Sequence, residues 1–397
     1  MAKIAKRMMD VEESPTLAIT AKASELKAKG ADVLSFAAGE PDFDTPENIK
    51  KAAIDAIGKG RTKYTPVGGI PELKDAVIGK FRRDNSVEYK REEILVSCGG
   101  KHSFFNFCLA FLDPGDEVIV PSPYWVSYPP MIKLGQGVPV IVPTKEQNGF
   151  KMQPDEFKAA ITKNTKAVVI NSPSNPTGSV YTKAELGEIL DIALSKGIFV
   201  LSDEIYEKLS FDAEPFSIVS LDKRAKDNVM VFNGVSKTYS MTGWRIGYAA
   251  GPKEIIAAMA KIQSQSTSNP TSLAQWAAVE ALNGPQDDVV KMIAAFKKRR
   301  DLITDGLNGI SGISIVKPGG AFYAFANVSK LFGKKAGDRK INGSFDLATY
   351  LLEDSLVALV PGVAFGDDNC VRLSYACSED NIKKGLKRIE EAVAKLK

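Results

Sequence analysis

From residue 94 onward the chain alternates short apolar runs with helical periods. The runs are Ile94-Leu95-Val96, Glu117-Val118-Ile119-Val120, Val138-Pro139-Val140-Ile141-Val142, Ala167-Val168-Val169-Ile170, Ile198-Phe199-Val200-Leu201 and Val229-Met230-Val231-Phe232. Continuous apolar stretches without polar alternation fit strands covered on both faces, as in a mostly parallel sheet between helices. Between them, Thr182-Lys183-Ala184-Glu185 has the capping-box pattern that opens a helix reaching Ser195. Ahead of them a helix is expected over residues 45–60, with Thr45 as N-cap and Pro46 at the first helical position, and another from Pro71 to Arg83. Two long helical patterns follow, Lys253 to Leu282 and Gln286 to Leu307. Beyond Ser311 the pattern becomes strand-like at Ala321-Phe322-Tyr323-Ala324-Phe325 and Val371-Arg372-Leu373-Ser374-Tyr375. The chain closes on a helix with Ile382, Leu386, Ile389, Val393 and Leu396 along one face. The expected organisation is α/β: one large domain with a buried sheet, flanked by a smaller α+β unit.

Composition narrows the function classes. The 397 residues are 44% hydrophobic and 25% charged, enough to bury a large core. Net charge is +4 with the two signs interspersed, which argues against a nucleic-acid surface. No apolar run approaches the roughly 18 residues of a spanning helix, and no apolar segment follows the basic residues of the N-terminus, so neither membrane nor secretion is expected and a cytoplasmic location is. His102 is the single histidine, which removes HExxH zinc hydrolases and other two-histidine metal sites and leaves His102 itself a structural reading. Cys98, Cys108, Cys370 and Cys377 form no CxxC pair and read as ordinary thiols of a reducing compartment; no metal site is expected.

In open α/β sheets ligands bind beyond the C-terminal ends of the strands. The residues following the apolar runs are Gly99-Gly100-Lys101, Tyr124-Trp125, Asn171 through Gly178, Ser202-Asp203-Glu204-Ile205-Tyr206 and Ser236-Lys237. Nucleotide and hydrolase fingerprints are missing there. No GxGxxG follows a strand, Leu95 stands where a P-loop ending at Gly100-Lys101 needs glycine, and Gly234-Val235-Ser236 continues into Lys237-Thr238 instead of completing GxSxG. What remains suits pyridoxal 5′-phosphate. Lys237 can hold the aldehyde as a Schiff base, Asp203 can keep the pyridine nitrogen protonated, and Trp125 can stack on the ring. Asn175 and Tyr206 can donate to the ring oxygen, while the backbone of Gly100 and Lys101 at a helix start, with Arg245, can take the phosphate. Singly, each residue has an ordinary reading: Lys237 as a solvated lysine, Asp203 as a cap, Trp125 as core, Asn175 as turn chemistry, Lys101 as incidental.

The motifs taken in order resemble the class I aminotransferases of PLP fold type I, and within them the bacterial aspartate aminotransferase subgroup. The resemblance rests on Ala38-Gly39-Glu40-Pro41-Asp42-Phe43, Tyr64-Thr65-Pro66 with Gly68, Gly99-Gly100-Lys101, Ser122-Pro123-Tyr124-Trp125 and Asn175-Pro176-Thr177-Gly178. Further along it rests on Ser202-Asp203-Glu204-Ile205-Tyr206, Ser236-Lys237, Gly243-Trp244-Arg245-Ile246-Gly247 and Arg372-Leu373-Ser374-Tyr375. It implies a seven-stranded, mostly parallel sheet in a large domain over residues 46–308. The small domain would combine residues 16–45 and 309–397, with residues 1–15 as an N-terminal arm.

For the site the resemblance implies Lys237 as catalytic lysine and proton shuttle. The cofactor would be bound by Tyr64, Gly99, Gly100, Lys101, Trp125, Asn175, Asp203, Tyr206, Ser236 and Arg245. The substrate would meet Gly39, Lys101, Trp125, Asn175 and Arg372, the last clamping its α-carboxylate. Tyr64 is similar to a tyrosine that reaches the neighbouring subunit's phosphate, which implies a homodimer with shared sites. Two positions depart from the pattern: Gly234 stands where many relatives carry a phosphate-binding serine, a loss Ser236 can offset, and Glu12 stands where a basic residue accompanies prephenate use. The implied activity is amino transfer from aspartate to 2-oxoglutarate. Aromatic, alanine or prephenate preference, C–S lyase chemistry and a non-catalytic PLP-binding regulator remain as alternatives.

Overall fold

The computed structural model describes residues 4–11 and 15–397; Glu12 and part of the expected arm over residues 1–15 lie outside the described residues. The six apolar runs and one further strand, Gly247–Ala250, form one seven-stranded sheet in the order Ile94–Ser97, Gly247–Ala250, Val229–Gly234, Phe199–Asp203, Thr165–Asn171, Glu117–Ser122, Val138–Pro143. Gly247–Ala250 runs antiparallel to both neighbours, and the five strands beyond it pair in parallel. The inner strands Phe199–Asp203 and Val229–Gly234 are buried on both faces, as unbroken apolar runs require. Of the two edge strands, Ile94–Ser97 is buried, whereas Val138–Pro143, which carries Pro139 and Pro143, leaves Val138 and Ile141 exposed.

Two expectations need correction, and one strand was not expected. The helix after Pro46 is Glu47–Gly58, and Thr45 does not cap it. Its hydroxyl instead donates to the Ser240 carbonyl at 2.6 Å and accepts from the Trp244 indole at 2.9 Å, tying this segment to the loop behind Lys237. The pattern from Lys253 to Leu282 is two helices, Lys253–Ser266 and Ser272–Asn283. Ser268 turns left-handed at φ 59°, and Pro270 lacks the N–H that a continuous helix would need. The strand Gly247–Ala250 carried no apolar run long enough to be noticed, being glycine, tyrosine and two alanines.

A second, antiparallel sheet joins Val360–Pro361, Cys370–Ser374, Tyr323–Asn327 and Ser314–Ile315. Leu34–Ser35 pairs in parallel with Val357–Ala358, so segments from both halves of the chain meet in this unit. The closing helix Glu379–Val393 buries Ile382, Ile389 and Val393, and Gly385 passes so close to the Phe36 ring that no side chain fits between them.

Below the sheet's C-terminal edge lies a buried ion pair between Lys80, on helix Pro71–Asn85, and Glu207. Asn85 and Asn233 also donate to Glu207, at 2.6 and 3.0 Å. This network pins the loop that follows Asp203 to a helix and to a neighbouring strand. Lys80→Met would strand a buried carboxylate, and we expect a loss of about 3–5 kcal/mol of stability, read as a lowered urea midpoint; an unchanged midpoint would show the network to be dispensable.

Candidate active site

A cleft of about 970 Å³ opens where the parallel strands end, between the sheet and the antiparallel unit. Asn171 and Asp203 are the last residues of their strands, and Ser236 and Lys237 follow the strand ending at Gly234. Tyr323 and Arg372 come from neighbouring strands of the second sheet. Gly39, Gly100, Lys101, Trp125, Asn175, Asp203, Tyr206, Ser236, Lys237, Arg245 and Arg372 all line this one cleft. Residues spread over more than 330 positions are thus brought together. Gly99 and Tyr64 are not among the lining residues: Gly99 lies beneath Arg245, and Tyr64 is 93% exposed.

The Lys237 amine donates to the Gly39 carbonyl at 2.6 Å. Burial pushes this amine down to about 8; Glu40 opposes the change, and the charges of Arg245 and Arg372 reinforce it. Asp203 is buried at the cleft floor, where burial raises its carboxyl, while the Tyr128 hydroxyl, donating at 2.6 Å, and the Ile205 N–H, at 3.2 Å, hold it down. Tyr128 also meets the Trp125 ring edge-on at 5.2 Å, so ring wall and carboxylate share one support.

Arg372 is 3% exposed. One Nη donates to Asn175 Oδ1 at 2.9 Å and the other to the Ala37 carbonyl at 2.8 Å, while Nε is buried with no partner. Its guanidinium carbon lies 4.6 Å from the Tyr323 ring centroid and 4.9 Å from that of Phe365. Among the described residues no carboxylate pairs with it. A planar fork between two rings, with an unused buried donor, suits a carboxylate from outside the chain.

The helix Gly100–Phe111 starts at the opposite wall. Gly99, its N-cap, has φ 94°, and a β-carbon there would fall 2.5 Å from Arg245 Nη2, so only glycine lets Arg245 cross the helix start. Arg245 itself is left-handed, φ 57°, and donates to the Thr242 carbonyl at 2.8 Å. Lys101 reaches solvent at the mouth with its amine 5.1 Å from the Trp125 ring centroid; protein packed around that amine, then the Arg245 charge, lower its pKa. Lys101, Lys133, Lys237, Arg245 and Arg372 line the cleft against the single carboxylate Asp203. Helix-start N–H groups beside Arg245 can take a phosphate, and Asp203 can take a cationic ring nitrogen, so the donor set fits pyridoxal 5′-phosphate.

With that geometry in place, comparison with known proteins is decisive. Residues 31–389 match the model of the family described as aminotransferase class I and II. The chain belongs to this family. It is 52% identical to the aspartate aminotransferase of Geobacillus stearothermophilus and 50% identical to the aspartate/prephenate aminotransferase of Nitrosomonas europaea, covering 98% of each chain in both cases. It also superposes on the crystal structure of an aspartate aminotransferase from Rhizobium meliloti with a TM-score of 0.97, at 44% identity and 100% coverage of both chains. The protein is therefore a pyridoxal-phosphate-dependent aminotransferase of fold type I, as the motifs implied.

Sequence reasoning missed three lining residues of this aminotransferase. Asn171 stood in the motif that gave Asn175; its side chain accepts the Asn175 N–H at 2.8 Å and donates to the Asp203 carbonyl at 2.9 Å. Tyr128 and Tyr323 had no such signal, since their partners are 75 and 117 positions away. His102 does not line the cleft: its Nδ1 accepts the Cys98 N–H at 3.3 Å.

The lowered amine gives a pH test. In the cofactor-free protein, the reactivity of Lys237 toward acetic anhydride should follow a titration centred near pH 8, falling about tenfold per unit below it. Peptide mapping of competitive labelling reads this directly, and a midpoint at or above about 10, the ordinary lysine value, would contradict the assigned burial.

Proposed function

We propose that this enzyme transfers the amino group of L-aspartate to 2-oxoglutarate, giving oxaloacetate and L-glutamate. The carrying observation is that Arg372 and Lys101, two cations without carboxylate partners among the described residues, line the same cleft as Lys237. A dicarboxylic amino acid satisfies both.

Bound in the cleft, the cofactor supplies an electron sink at the substrate Cα and carries the amino group between the two half-reactions. Lys237 would hold it covalently, and its amine, neutral when free, would take the Cα proton of the substrate. Asp203, supported by Tyr128, keeps the ring nitrogen protonated, and Trp125 covers the ring. Asn175 and Tyr206 donate to the ring oxygen. Gly100, Lys101, Ser236 and Arg245 would form the phosphate cup, with Gly99 beneath Arg245 leaving it room, and the Ser236 hydroxyl would replace one that Gly234 cannot offer. Arg372 orients the α-carboxylate with Gly39 close by, and Lys101 takes the distal carboxylate.

A homodimer with shared sites belongs to the same proposal. Tyr64 points into solvent on its own subunit, and Ile54 and Ile57 on helix Glu47–Gly58 are exposed beside it in sequence, as a contact surface would require. We further propose the arm at residues 1–15, the large domain at 46–308, the small domain from 16–45 and 309–397, and a cytoplasmic location, which the four free cysteines favour. Sedimentation of the holoenzyme should give twice the 42.9 kDa chain mass.

Two substitutions test the chemistry. Lys237→Ala should keep cofactor bound through gel filtration and lose at least about 10²–10⁴-fold in turnover; appreciable remaining transamination would overturn the role. Lys101→Ala should lower kcat/KM for aspartate about 10–100-fold and leave that for alanine nearly unchanged. An equal loss for both amino acids, or none for aspartate, would overturn the acidic-substrate reading.

A further inference from the structure

Tyr323 occupies a junction that neither the motifs nor the roles above account for. It is buried on strand Tyr323–Asn327, directly across from Ser374, so on the twisted sheet it shares a face with Arg372 one diagonal step away. Its ring lies under the Arg372 guanidinium. Its hydroxyl stands 2.8 Å from the Tyr206 hydroxyl, where either oxygen can be the donor. The two rings meet edge-on at 5.7 Å, which holds the hydroxyls together. A β-carbon at Gly39 would come within 2.9 Å of the same oxygen, so the backbone that accepts from Lys237 is packed against this hydroxyl too.

A hydroxyl carries one hydrogen. If Tyr206 spends its own on the ring oxygen of the cofactor, as proposed above, only Tyr323 can donate within the pair. The ambiguity between the two tyrosines is then resolved in one direction. A donor behind the Tyr206 oxygen draws charge from it and makes its O–H a stronger donor in turn.

We propose that Tyr323 is a positioning residue that joins the carboxylate clamp to the ring-oxygen donor: its ring fixes the Arg372 guanidinium, and its hydroxyl strengthens Tyr206. The proposal rests on the reading of Tyr206 given under Proposed function. It separates two parts of one side chain. The hydroxyl acts on the electronic state of the bound chromophore, the ring on substrate affinity.

The test is an absorbance titration of the holoenzyme for wild type, Tyr206→Phe, Tyr323→Phe and the double variant. A weaker Tyr206 leaves the ring oxygen more basic, so the proton shared between that oxygen and the Lys237 nitrogen is kept to higher pH. Tyr323→Phe should raise the titration midpoint by about half a unit, the size that one neutral hydrogen bond passes on, and Tyr206→Phe should raise it further. In the double variant the midpoint should equal that of Tyr206→Phe alone, because Tyr323 acts only through Tyr206. Tyr323→Leu should repeat the shift of Tyr323→Phe and in addition weaken succinate binding about 3–30-fold, the loss expected for a buried cation–ring contact.

A Tyr323→Phe midpoint within about 0.1 unit of wild type, well below the effect of one hydrogen bond, beside a shifted Tyr206→Phe would overturn the proposal and leave the Tyr206 assignment standing. Additive shifts in the double variant would do the same. An unmoved midpoint in Tyr206→Phe would strike the Tyr206 assignment itself and the present inference with it. Equal succinate affinity in Tyr323→Leu and Tyr323→Phe would overturn the role of the ring.

Discussion

Arg372 carries a full positive charge to a position that is 3% exposed, with no carboxylate beside it among the described residues. Burying a cation this way costs several kcal/mol unless its donors are met. The fold meets only part of the cost, through the Asn175 side chain, the Ala37 carbonyl and two flanking rings. Those groups come from the loop after strand Thr165–Asn171, the segment before Gly39, the second sheet, and the short helix Gly362–Phe365. The guanidinium therefore has a place only when these segments are assembled, and its unused Nε is a donor that a carboxylate from outside the chain can meet. Folding and substrate recognition share one unfinished hydrogen-bond set.

The same economy governs the phosphate side. Helix Gly100–Phe111 can present its first N–H groups to the cleft because glycine stands wherever backbone must approach closely. Gly247, on the antiparallel strand, packs against the backbone of Gly99 and Gly100 so tightly that a side chain would collide with it. Gly99 in turn leaves the path along which Arg245 reaches over the helix start. A seventh strand with little apolar character is thus kept for what it lacks. Its small residues bring sheet, helix start and Arg245 within one layer.

These relations explain what could be read from sequence. Buried parallel strands announce themselves, since each must be apolar on both faces, and six of the seven were legible from the runs alone. Gly247–Ala250 was not, because its residues are chosen for closeness and not for hydrophobicity. Thr45 before Pro46 looks like a cap, yet its hydroxyl is claimed by Ser240 and Trp244, nearly 200 positions away. Here the local capping position loses to tertiary hydrogen bonds. Site residues that lie within short motifs, such as Asp203, Asn175, Lys237 and Arg372, were legible as a set. Tyr128 and Tyr323 were not, for a tyrosine in a helix or strand carries no sign of the distant oxygen its hydroxyl will meet.

The tyrosines also bear on how Lys237 reaches a useful protonation state. Burial of its amine, reinforced by the positive charges of Arg245 and Arg372, favours the neutral form; Glu40 and Asp203 pull the other way. Tyr128 donates to the Asp203 carboxylate at 2.6 Å, which favours its charged form at the cleft floor. Tyr206 and Tyr323, neutral and buried, fill the remaining wall with hydroxyls that donate without adding charge. The cleft thereby separates two needs that a charged wall would set against each other: strong hydrogen bonding to anions, and a lysine whose proton leaves near neutral pH.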